Sequence, residues 1–127
     1  MDTDNRLLKI LIVDDELPIR QRLRLFDWAS CGCEIAGEAE NGEEALDLCS
    51  RYSPDLIFTD IKMPVMSGLE FIERFGANLH GLPVIMVSGR GDPATFARAR
   101  EAGVTAFLEK PFEEDQLLDA VQRLLPA

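Results

Sequence analysis

Five polar side chains sit where apolar runs give out. Asp14 and Asp15 follow Leu7–Val13, Asp60 follows Leu56–Thr59, Ser88 closes Leu82–Val87, and Lys110 stands two residues past Val104–Leu108. Three carboxylates held close together repel one another and require a cation. Oxygen-only donors suit a hard ion, and Mg2+ takes one or two carboxylates while keeping several waters. Such an ion also holds a phosphoryl oxygen and offsets its charge. That makes Asp60 a candidate nucleophile for an aspartyl phosphate. Lys110 supplies a mobile point charge for one phosphoryl oxygen, and Ser88 a hydroxyl donor for another. Phosphoryl transfer asks a protein mainly to position groups and stabilise charge, and this set does both without a separate base. Within its own stretch, Pro54-Asp55 to Pro64, Asp60 reads equally well as a loop aspartate capping a turn. The other elements decide between the two.

Those elements alternate. Leu7–Val13 is a β-rich apolar run, and Pro18 then suits the first turn of a helix with Ile19, Leu23 and Phe26 on one face. Arg20, Arg22 and Arg24 fall mostly off that face and read as a solvated surface. Gly32 breaks the pattern, and Cys33–Ala39 alternates as a weaker strand. Asn41 is a good N-cap with Glu44 placed as in a capping box, and Ala45, Leu48, Cys49 and Tyr52 form the inner stripe of the helix that follows. After the strand ending at Asp60, Ser67-Gly68-Leu69-Glu70 opens a third helix with Phe71, Ile72 and Phe75 inward. Leu82–Ser88 is a fourth strand, and Asp92-Pro93 opens a helix that Gly103 stops. Val104–Leu108 is a fifth strand, and a last helix carries Leu117, Val121 and Leu124 inward. Strand and helix alternate five times, which predicts an α/β fold: a doubly wound five-stranded parallel sheet with helices on both faces. In such sheets ligands bind beyond the carboxyl ends of the strands, where the five polar residues converge. The end of the second strand, Ala39-Glu40, has no evident role.

The totals set bounds. The 127 residues fit one domain able to bury a single core. Residues 7–125 are expected to form that domain, with 1–6 weakly ordered and Pro126-Ala127 the start of a linker or the chain end. A net charge of −10 argues against direct nucleic acid binding, which needs clustered Lys and Arg. No apolar run reaches the roughly 18 residues of a membrane span, and the acidic start Met1-Asp2-Thr3-Asp4-Asn5 is not a secretory signal. Three cysteines make no even framework, and the single His80 lies apart from them in a loop. Free thiols in a reducing cytoplasm are the simpler expectation.

Val13-Asp14-Asp15-Glu16, Asp60-Ile61-Lys62-Met63-Pro64, Gly68, Val87-Ser88-Gly89 and Lys110-Pro111-Phe112 are each weak signals but specific in this order and spacing. With them the chain, roughly from Leu8 to Leu125, resembles a response-regulator (CheY-like) receiver domain of two-component signalling. The resemblance implies a flavodoxin-like (βα)5 sheet of order 2-1-3-4-5, an order that comes from the family and not from the residues. It implies Asp60 as phosphoacceptor. Asp14, Asp15, Asp60 and the backbone carbonyl of Lys62 would hold Mg2+, Asp14 partly through water. Ser88 and Lys110 would sense the phosphoryl group, Phe107 would be the switch aromatic, and Lys110–Pro111 would be cis. It also implies a signalling switch without turnover of an external substrate. A sensor histidine kinase or phosphotransfer protein would be its donor, and a second copy is a candidate partner through the face of the helix from Pro93, the strand Val104–Leu108 and the last helix. The segment Phe26-Asp27-Trp28 through Asn41-Gly42 is similar to receivers fused to AraC-type DNA-binding domains, hence a transcriptional output. Trp28 reads equally as a plug for the end of the first helix. Lys62 and Arg90, each two residues beyond a site residue, either overhang the pocket or point into solvent.

Two other classes fit the architecture less well. An aspartate-nucleophile phosphatase would place D-x-D after the first strand, where Asp14 and Asp15 are adjacent. A flavin module would place a Ser/Thr/Gly phosphate loop there, where this loop is acidic.

Overall fold

Apolar residues on both faces of successive strands dictate a sheet that must be covered twice. The computed structural model describes residues 7–76, 81–89 and 93–125. The expectations for residues 1–6, His80, Arg90 and Pro126-Ala127 lie outside them. The order is β1 (Leu8–Val13), α1 (Leu17–Leu25), a short 3-10 helix (Trp28–Cys31), β2 (Cys33–Ala39), α2 (Gly42–Arg51), β3 (Leu56–Asp60), α3 (Gly68–Phe75), β4 (Val84–Ser88), α4 (Pro93–Ala102), β5 (Ala106–Glu109) and α5 (Glu114–Leu124). The strands form one parallel sheet in the order β2-β1-β3-β4-β5. It is the flavodoxin-like order expected from the resemblance.

The pleat sorts side chains to two cores. Leu11, Val13, Ile57, Val84 and Met86 pack under α2, α3 and Ala99 of α4, while Ile10, Ile12, Phe58, Ile85 and Val87 pack under Leu23 of α1 and Leu117 and Val121 of α5. Burying each such side chain contributes about 1.5–3 kcal/mol. Trp28 does plug the end of α1: its indole donates to the Leu23 carbonyl at 2.8 Å and its ring meets Phe26 edge-on at 4.7 Å.

β2 departs from simple alternation. Ile10 pairs with Ile35 but Leu11 with Gly37, so Ala36 is an extra residue in a bulge. Cys33 and Ile35 therefore pack on the α1 side, whereas Ala39 packs on the opposite side. Gly37 marks the flip, since a Cβ there would stand 3.3 Å from Leu48 Cδ1. Glu38 is thereby turned toward α1.

Three details differ from expectation. Arg20 is not solvated surface but buried, whereas Arg22 and Arg24 are exposed as expected yet also have tertiary partners. Tyr52 is exposed rather than inward, because α2 ends at Arg51. Asn41 does cap α2 by accepting from the Glu44 amide at 2.9 Å, but Glu44 reaches back to the amide of Glu40, one residue short of the reciprocal bond.

Candidate functional site

β1 runs out into Asp14, whose amide still bonds to the Ala39 carbonyl of β2 at 3.0 Å. Its Oδ1 accepts from the Glu16 amide at 2.9 Å, which fixes the acidic turn before α1. Asp14 is wholly buried, Asp15 exposed. Asp60 is the last residue of β3 and only 6% exposed, and its Oδ1 accepts from the Ile61 amide at 2.8 Å. The next carbonyl, of Ile61, accepts the Gly68 amide at 2.7 Å, so the start of α3 is strapped to the chain beside Asp60. Gly68 allows this approach: a Cβ there would lie 1.7 Å from the Asp60 carbonyl oxygen.

Ser88, also buried, ends β4, and its carbonyl accepts the Lys110 amide at 2.8 Å. Lys110–Pro111 is cis, as the resemblance implied. The Lys110 ammonium reaches into the pocket, 3.2 Å from Asp14 Oδ2, 3.3 Å from Asp60 Oδ2 and 4.0 Å from Glu16 Oε2. Thus Asp14, Asp15, Asp60 and Lys110 are brought together, with Ser88 at the adjacent strand end. Lys62 is exposed in the loop after β3, and Phe107 is half-buried in β5 against Phe96 (4.9 Å between ring centres) and beneath Arg100 (5.5 Å).

The electrostatics are those of a place short of positive charge. Burial, then the neighbouring Asp14 charge, pushes the Asp60 carboxyl up to about 6 despite Lys110. Burial likewise raises Asp14. For Lys110 burial pulls down, but Asp14 and Asp60 together outweigh it and the ammonium is held more firmly than usual. Oxygens of Asp14, Asp15 and Asp60 lie within 4.8 Å of one another, and the fully buried Asp14 Oδ2 has the Lys110 ammonium, 3.2 Å away, as its ion-pair partner. One ammonium against these carboxylates leaves the cluster anionic. An all-oxygen donor set carrying more negative charge than one ammonium balances fits a small hard cation such as Mg2+. The three cysteines are free thiols, and burial pushes Cys33 and Cys49 to about 11, far from nucleophilic.

Residues 10–122 match the response regulator receiver domain family. The chain belongs to that family. It is 36% identical to the chemotaxis protein CheY of Halobacterium salinarum over 122 residues, covering 94% of this chain and 98% of that one. It is 33% identical over 120 residues to the uncharacterized transcriptional regulatory protein YesN of Bacillus subtilis, covering 94% of this chain but 33% of YesN. The receiver domain thus spans nearly all of one relative and a third of the other. Among solved structures it is similar to the receiver domain of AraT, a response regulator from Geobacillus stearothermophilus (TM-score 0.84, 34% identity, 93% of this chain and 92% of that one). It is also similar to a chain in the CheX–CheY–BeF3–Mg2+ complex from Borrelia burgdorferi (TM-score 0.86, 26% identity, 98% and 94% covered).

The bonds from Arg20 to the Asp14 carbonyl and from Arg22 to the Phe112 carbonyl, beside this receiver's acidic pocket, were not legible in the sequence. The two arginines lie off the apolar stripe of α1, and no local pattern announces their partners. The one available signal was the unbalanced acidic triple after β1, together with the glycine inside β2.

Proposed function

We propose that this receiver accepts a phosphoryl group on Asp60 from a phosphohistidine of a sensor kinase or phosphotransfer protein. The donor P–N bond breaks as a bond forms from the Asp60 carboxylate oxygen to phosphorus, and the released imidazole takes its proton from solvent. The supporting observation is the meeting of Asp60, Lys110 and the Asp14–Asp15 turn at the strand ends. Asp60 is a carboxylate at neutral pH, being raised only to about 6, so it needs no base. Lys110 is placed to meet the incoming negative charge, and Ser88 offers a hydroxyl at the neighbouring strand end. Asp14, Asp15, Asp60 and the Lys62 carbonyl would hold Mg2+, which when bound supplies charge neutralisation for the phosphoryl oxygens.

The reading extends to signalling. Phosphorylation shifts a pre-existing equilibrium in which Ser88 and Phe107 rearrange and the α4-β5-α5 face changes. The similarity to the transcriptional regulatory protein YesN supports a transcriptional output through a further domain or partner. The deciding experiment is intact-mass spectrometry after incubation with acetyl phosphate and Mg2+. The wild-type chain gains one phosphoryl mass and Asp60→Ala does not; an adduct on the variant, or none on the wild type, defeats the assignment.

A further inference from the structure

The polar face of α1 does more than meet water. Arg20 is 8% exposed, its guanidinium hydrogen-bonds to two partners, and Glu40 Oε2 stands 4.0 Å from Nη2. Nη1 donates to the carbonyl oxygen of Asp14 at 2.7 Å, and Nε donates to Glu38 Oε1 at 3.1 Å. Glu38 is gripped in turn by Arg24, at 2.6 and 2.9 Å. Arg22, two residues along from Arg20, donates through Nη2 to the carbonyl of Phe112 at 2.6 Å, with its guanidinium 5.2 Å from the centre of the Phe112 ring. Phe112 is buried against Phe58 and lies two residues beyond Lys110.

One helix therefore grips the main chain on both arms of the acidic pocket. The Asp14 arm is fixed at its amide by Ala39, at its carbonyl by Arg20 and at its carboxylate by the Glu16 amide. The Lys110 arm is fixed at its amide by Ser88 and just downstream by Arg22. Arg20 is not a free counter-charge for the carboxylates, because its guanidinium is engaged by Glu38, which it shares with Arg24, and stands 4.0 Å from Glu40 Oε2. Its contribution is geometric: a planar fork spanning a carbonyl and a carboxylate that no ammonium can span in the same way.

We infer that Arg20 and Arg22 are positioning residues of the pocket, Arg20 setting the Asp14–Asp15 carboxylates and Arg22 setting Lys110 through the carbonyls they grip. This rests on the proposed reading of the pocket as a Mg2+ and phosphoryl site, and it assigns the two arginines separable effects. Partners in the outer shell of a metal site typically change affinity by 10–100-fold. Arg20→Met is therefore expected to weaken binding of Mg2+ alone, measured by calorimetry, by about tenfold or more. Arg20→Lys, which keeps the charge, stays weak. Arg22→Met does not weaken Mg2+ binding, because the Lys110 ammonium it loosens competes with the ion for Asp14 and Asp60, but it slows phosphorylation by acetyl phosphate at saturating Mg2+, on the order of tenfold. Melting curves confirm that each variant is folded; if Arg20→Met is not, Arg20→Lys carries the same test. Wild-type Mg2+ affinity in a folded Arg20 variant, or full rescue by lysine, overturns the role of Arg20. An unslowed Arg22→Met overturns that of Arg22. A wild-type chain that binds no Mg2+ overturns both this inference and the reading of the pocket, so the two failures are distinguishable.

Discussion

At the scale of single residues, Asp60 carries a stability cost that the proposed phosphoacceptor role would require. Its carboxyl is raised from 3.8 to about 6 in the folded chain, first by burial and then by Asp14. The folded state therefore holds a proton more tightly than the unfolded state. Stability is fully present below the unfolded value and is lost as pH rises through about 6. Asp60→Asn removes the charge while keeping an oxygen for the Ile61 amide. In metal-free buffer at pH 7 it is expected to stabilise the domain by about 3 kcal/mol, with the difference fading as pH falls to about 4. Denaturant titrations at the two pH values check this. An Asn variant no more stable than wild type at pH 7 would mean that Asp60 is already compensated by its neighbours.

At the scale of elements, the site depends on how helices seat against strand ends. The clearest case is α3, whose first residue, Gly68, abuts the carbonyl of Asp60. Serine at the N-cap holds the helix start, Ser67 Oγ accepting from the Glu70 amide at 3.0 Å, and that much follows from a local motif. The need for glycine at the next position does not, because the obstructing atom belongs to β3. Gly68→Ala must push α3 away from Asp60 and is expected to cost about 3 kcal/mol, lowering the melting temperature by roughly 10 °C or more and slowing phosphorylation. An alanine variant of wild-type stability would show that this contact is relieved cheaply. The bulge in β2 is a second case: one extra residue turns Glu38 toward Arg20. A reading by strict alternation puts Glu38 on the wrong side and leaves Arg20 without its carboxylate partner.

At the scale of the whole molecule, the sheet separates two cores and gathers Asp14, Asp60, Ser88 and Lys110 at the carboxyl ends of its strands. A change at Asp60 has a short route to the far side, since Asp60 pairs with Val87, Met86 of β4 pairs with Phe107 of β5, and Phe107 rests on Phe96 and beneath Arg100 of α4. Adding beryllofluoride with Mg2+ is accordingly expected to shift the amide resonances of α4, β5 and α5 in solution spectra, and to leave those of the lower half of β1 unmoved. Shifts confined to the pocket would remove the proposed switch while leaving phosphorylation standing.

What the sequence determined by itself was the alternation of strand and helix, most element boundaries, and the positions of Asp14, Asp15, Asp60, Ser88 and Lys110 at strand ends. Periodicity, caps and breakers are local, and five strand ends pointing one way is a consequence of parallel alternation. Only the tertiary structure decided that Lys110 stands between Asp14 and Asp60, that Gly68 must lack a side chain, and that Arg20 and Arg22 grip the two arms of the pocket. Each of those depends on contact between segments distant in the chain. The charged face of an isolated helix looks the same whether water or a buried carbonyl awaits it.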